Sequence, residues 1–230
     1  ADVAAGQLAL GGTGTFTNQA TLAALNGATL GLNGPWTSAL GSSIMVTNST
    51  LNLGGAFTQA GLALNRTGGT VNLAGTLTGN LALDATTGSW NMVGGTIRNG
   101  TLTETGGAQL VATATGGLLD GVTVNGNLDL TQVTGANLTI KNSLVLNGTL
   151  SLGKADGSTY GRVNFGDSAS ASQMLSGNAT VLYGGSDSNW FYHYSGATLT
   201  IGPTVNLHGK SGLLINAYSQ GAIINQGTIS

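Results

Sequence analysis

The chain has 230 residues, 40 of them Gly, and only 6% are charged; an ordinary soluble domain is roughly 25% charged and roughly 7% Gly. A formal net charge of −2 argues against a nucleic-acid partner, which needs a basic stripe, and no apolar run approaches the ~18 residues of a spanning helix. Gly without a three-residue period excludes collagen, apolar residues recurring throughout argue against disorder, and the lack of Cys fits either a secreted bacterial protein without disulfides or a cytosolic protein.

The first 116 residues carry three interleaved apolar series. Alternating pairs Leu30/Leu32, Leu51/Leu53, Val71/Leu73, Trp90/Met92 and Leu110/Ala112 recur at steps of 19 to 21. Between them lie Phe16, Trp36, Phe57, Leu77 and Ile97, at steps of 20 or 21. A looser third group comprises Leu62/Leu64, Leu81/Leu83 and Leu102. Each series predicts a short strand with one buried face. The joints, such as "NLGGAF" and "MVGGTI", are rich in the residues that tolerate sharp corners. Three strands in each period leave no room for a helix. The expected fold is all-β: a parallel β-helix (β-solenoid) with coils of about 20 residues and roughly ten to eleven coils, stacked about 4.8 Å apart.

From residue 117 the period lengthens. "VTVNGNLDL" (122–130) and "LVLNGTLSL" (144–152) align at 22 residues, so Val122 is expected over Leu144 and Asn125-Gly126 over Asn147-Gly148. Leu138 and Tyr160 keep that step. Beyond them Val163/Phe165, Val181/Tyr183 and Leu199/Ile201 recur at 18, followed by Val205/Leu207, Leu213/Ile215 and Ile223. The stretches 154–162 ("KADGSTYGR") and 184–196 ("GGSDSNWFYHYSG") read as loops leaving the coil, the places where solenoids tend to carry function. The whole of 1–230 is expected to be one solenoid: regular over 1–116, longer-coiled over 117–153, less regular over 154–230.

The segments "GTIRNGTLTETGGAQL", "GVTVNGNLDL", "ATLTIGPTVNLHGKSG" and "AIINQGTIS" resemble the repeats of filamentous-haemagglutinin-like and autotransporter-passenger-like bacterial adhesins. The resemblance implies a right-handed parallel β-helix, secretion to the bacterial cell surface, and a stiff structural or adhesive rod with no catalytic residue. The expected partners are a carbohydrate or a host or cell-surface ligand. Neither terminus carries an evident cap, so a longer parent chain or end-to-end homotypic assembly into fibres is expected.

Chemistry-bearing residues are sparse. Asp84 and Glu104 each lie seven residues after an inward apolar position, Leu77 and Ile97, an offset that would bring two carboxyls within glycosidase range on adjacent coils. That keeps a polysaccharide-cleaving enzyme or tailspike as an alternative, although strand parity points Glu104 inward. Thr17, Thr37, Thr58 and Thr78, flanked by Thr15, Thr76 and Thr96, form an outward array that keeps an ice-binding solenoid as a second alternative. The binding candidates are Trp190, Phe191, Tyr192, His193 and Tyr194, with Tyr160 as a neighbour; alternation sends Trp190, Tyr192 and Tyr194 to one side, Phe191 and His193 to the other. The competing reading of that run is a thicker patch of core. His193 and His208 have no acid at ligand spacing and no Gly-x-Gly opens a helix, so neither metal nor cofactor is expected.

Overall fold

The structure is a computed structural model that describes every residue except Ser168, Ser170 and Tyr218. The chain is an all-β parallel solenoid of about 10 turns of about 22 residues, with no helix among the described residues. Each turn lays one strand on each of three faces. On the first face, Gln7–Leu10 pairs with Thr29–Leu32, then Thr50–Leu53 and Thr70–Leu73, and the ladder continues to Thr228–Ile229. The second face begins at Phe16–Asn18 and Trp36–Ser38 and ends at Leu213–Asn216. The third begins at Thr21–Ala24 and ends at Ala222–Asn225.

Alternation within each strand builds the core. Inward residues of successive turns sit in register, so Leu30 stacks on Leu51 and Leu51 on Val71. Further along, Leu110, Leu128, Leu150, Val181 and Leu207 form one buried column. Each such side chain contributes about 1.5–3 kcal/mol by leaving water. Aromatic residues fill the second face: Trp36 stacks on Phe57 with centroids 4.6 Å apart, and Phe165 on Phe191 at 5.0 Å. Offset stacking adds about 0.5–1.5 kcal/mol per pair.

The two NG repeats are neighbouring rungs. Val122 pairs with Leu144 and Asn125 with Asn147, whose side-chain Nδ2 donates to Asn125 Oδ1 at 2.8 Å. Only glycine fits the corner they share, because a Cβ on Gly148 would be driven into the carbonyl oxygen of Gly126.

The C-terminal third differs from its sequence reading in four respects. The 18-residue step is not a coil: Val163/Phe165 lies on the second face, Val181/Tyr183 on the first and Leu199/Ile201 on the third. The real rungs are longer, since Phe165 pairs with His193 and Leu175 with Ile201. Leu138 pairs with Val163, not Tyr160. The stretch 184–196 is not one loop, because Trp190–His193 is a strand within the second-face ladder. A further insertion, 166–172, separates Gly161–Phe165 from Gln173–Ser176 and has no counterpart in the regular coils; within it Ser168 and Ser170 lie outside the described residues.

Candidate functional site

The break in regularity assembles a groove on the outer surface of the second face. Gly161–Phe165 alternates Val163 and Phe165 inward, leaving Arg162 and Asn164 outward. The next rung, Trp190–His193, does the same with Phe191 and His193 inward and Trp190 and Tyr192 outward. The register puts Arg162 beside Trp190 and Asn164 beside Tyr192. On the other side of Gly161–Phe165, Asn137 pairs with Arg162 and Thr139 with Asn164. The result is a shallow groove of about 470 Å³ whose lining includes Tyr160, Arg162, Asn164, Trp190 and Tyr192.

Arg162 is the centre of this groove. Its guanidinium carbon lies 3.6 Å from the Trp190 ring centroid and 4.8 Å from that of Tyr160. Tyr192 meets Trp190 edge-on, with centroids 5.2 Å apart and planes at 89°. A guanidinium placed over aromatic rings is favourable because each ring face carries partial negative charge.

The loop 154–160 that carries Tyr160 is held by its own polar residues. Asp156 Oδ1 accepts from the Ser158 backbone N–H at 2.9 Å and from its hydroxyl at 2.7 Å. Thr159 Oγ1 donates to the Thr131 carbonyl at 2.8 Å and accepts from Lys154 N–H at 3.0 Å. The pin between the rungs is Asn189, which is wholly buried. Its Oδ1 accepts from Gly161 N–H at 3.1 Å and its Nδ2 donates to the Ser211 carbonyl at 3.2 Å. One side chain therefore ties together the segments before Arg162, before Trp190 and before the last second-face strand.

Of the binding candidates read from sequence, Tyr160, Trp190 and Tyr192 come together here. Phe191 and His193 are fully buried and belong to the core, because strand parity turns them inward. His193 Nδ1 faces Asn216 Oδ1 at 3.2 Å, its Nε2 has no partner, and burial holds the imidazole below its ordinary pKa. Tyr194 is outward and 47% exposed, beyond the groove lining. Arg162, Asn137 and Asn164 were not singled out from sequence, although Arg162 lies within the quoted "KADGSTYGR" and shares the parity of Tyr160.

The two carboxylates are not neighbours. Leu83, not Asp84, pairs with Glu104, so the equal seven-residue offsets do not survive the corner. Asp84 is exposed and closes its own turn, accepting from Thr86 and Thr87 N–H at 2.8 and 2.9 Å; these donors, Thr87 first, hold its carboxyl below the usual range. Glu104 is half-buried and accepts from the Leu110 and Asn127 N–H groups at 2.7 and 2.8 Å. Burial pushes its carboxyl up against the pull of those donors. The threonine array is short: Thr17 pairs with Thr37, and in the ladder that follows Thr78 pairs with Arg98. Among the described residues, no three His, Cys, Asp or Glu group together as metal ligands would, and no helix is long and apolar enough to cross a membrane.

No family model, no curated protein and no solved structure matches this chain.

Proposed function

We propose that this chain is a stiff segment of a secreted bacterial surface protein, a rod that carries a carbohydrate-binding groove and performs no chemistry. The observation that carries the reading is the Tyr160–Arg162–Trp190–Tyr192 cluster, placed where insertions lengthen the otherwise regular coil. Sugar rings present flat C–H faces that pack on aromatic rings, while their hydroxyls need short polar partners. Both are at hand, since Asn164 makes no side-chain hydrogen bond to the described residues and lies beside Tyr192. The adhesive and extracellular parts of the proposal are supported by the resemblance of the repeats to bacterial surface adhesins and by the low charge.

The test is attachment. Beads coated with the chain are expected to bind a glycan-bearing surface, and Trp190→Ala is expected to reduce that binding about tenfold or more, since aromatic anchors dominate small interfaces. Equal attachment by the Trp190→Ala chain, folded as judged by its thermal transition, removes the groove from the proposal.

A further inference from the structure

We infer that the groove selects an anionic sugar, one bearing a carboxylate or a sulfate, and that Arg162 recognises the negative group. This rests on the sugar-binding reading above and narrows it to a ligand class.

The chain has three arginines, and two of them are satisfied by its own oxygens. Arg66 donates to the carbonyls of Gly68, Gly69 and Ser89, and Arg98 pairs with Asp120. Arg162 makes no hydrogen bond or ion pair with any described residue; rings are its only partners. Its Nε is buried without an acceptor. Its guanidinium carbon lies over the Trp190 and Tyr160 rings, which can accept no conventional hydrogen bond in the guanidinium plane. The remaining donors, on a residue that lines the groove, have no acceptor among the described residues. Aromatic packing also fixes the side chain, so little rotamer freedom is lost when an acceptor arrives.

The surroundings suit an anion. No Asp or Glu lines the groove, so an incoming carboxylate displaces no resident partner and meets no like charge. The polar lining consists of amides and hydroxyls, including Asn137, Asn164 and Thr134. Asn137 spends its Nδ2 on the Ala114 and Gly135 carbonyls, at 2.8 and 3.3 Å. On the same face Arg98 and Lys141 are each paired with an acid, Asp120 and Asp167, whereas Arg162 has no acid partner among the described residues. A carboxylate or sulfate matches the guanidinium fork with two parallel N–H···O bonds, and such charge-assisted bonds are about twice as strong as neutral ones.

The experiment uses the intact chain and paired probes. One probe is an oligosaccharide containing glucuronate; the second is the same oligosaccharide with its carboxyl groups reduced to alcohols; the third is a sulfated oligosaccharide of equal length. Trp190 fluorescence reports occupancy, since Trp36 and Trp90 are fully buried. The wild-type chain is expected to bind one or both acidic probes about tenfold or more tightly than the reduced probe. The acidic probe preferred identifies the anion. Arg162→Gln is expected to erase that preference while keeping weak binding of the reduced probe, and Arg162→Lys to retain part of it. Should Arg162→Gln not fold, the wild-type affinity for the acidic probe must still fall steeply between low and high salt while that for the reduced probe does not. Equal affinity for all three probes, or a preference unchanged in Arg162→Gln, overturns the anionic assignment and leaves sugar binding standing. Binding of no probe by the wild-type chain overturns both.

Discussion

At the residue scale, several polar side chains stand in for backbone. Strands Ala63–Thr67 and Leu81–Leu83 do not pair with each other, so the third-face ladder is interrupted there. Gln59 closes part of the gap: its Nε2 donates to the Ala82 carbonyl at 3.0 Å and its Oε1 accepts the Ala82 N–H at 2.7 Å, as a neighbouring peptide group would. Gln59→Ala is expected to lower stability by about 1–2 kcal/mol in urea unfolding. The Asn189 pin is wholly buried, and Asn189→Ala leaves the Gly161 N–H without its acceptor; the expected loss is about 2–3 kcal/mol, with fluorescence of Trp190 shifting as the groove loosens. His193 sets a pH response. Its folded pKa lies below the ordinary 6.5, so the neutral form is favoured by folding. The unfolded chain takes up the proton first, and stability present above about pH 6.5 is lost as pH falls from there toward the folded pKa. Protection factors over Leu213–Asn216, corrected for the intrinsic pH dependence of amide exchange, are expected to fall between pH 7.5 and 5.5, and His193→Gln to flatten that dependence.

At the scale of the element, the low charge of the chain hides a pattern. A ladder that stacks identical positions repels itself if it repeats a charge. On the outer surface of the second face the signs alternate instead: Arg98 pairs with Asp120, Asp120 sits beside Lys141, and Lys141 forms an ion pair with Asp167. Asp120 is nearly buried and accepts from Arg98 Nε at 2.9 Å and from Asn142 Nδ2 at 2.6 Å. Arg98 is half exposed, so its pair with Asp120 is screened by water. Asp120→Ala is therefore expected to cost about 1–3 kcal/mol, because it strands Asn142, whereas Arg98→Ala costs less than about 1 kcal/mol; chemical denaturation of both variants separates the two roles. None of this was visible as a cluster in sequence, since the four residues are 21 to 26 positions apart and meet only once the rungs stack.

At the scale of the whole molecule, a solenoid is held by nearest-neighbour contacts between turns, so stability is graded along its length. The middle turns carry the longest strands, Leu118–Asn125 and Ala136–Leu152, and columns of wholly buried Leu, Ile and Val. The terminal rungs are open by contrast: Leu8 is 49% exposed at one end and Ile229 51% at the other. Amide exchange is expected to be slowest across 118–152 and fastest over the first and last turns. Uniform protection along the chain would contradict a nearest-neighbour rod.

The coil is legible from the amino-acid sequence alone. Period-2 alternation, the recurrence near 20 and 22 residues, and Gly or Asn at the joints specify strands, columns and corners, because each is local to one turn and repeated in the next. Within the aromatic run, the same parity rule separated Trp190 and Tyr192 from Phe191 and His193. Only the tertiary structure decided the register across insertions. Residues 166–172 and 184–189 add different lengths to adjacent turns, so no fixed period connects Arg162 to Trp190; earlier in the chain, one extra residue at the corner between Arg98 and Leu102 puts Glu104 beside Leu83 and not Asp84. Pairing across those gaps is set by which inward side chains fill the column, here Phe165 on Phe191, and that choice carries Arg162 between its two rings.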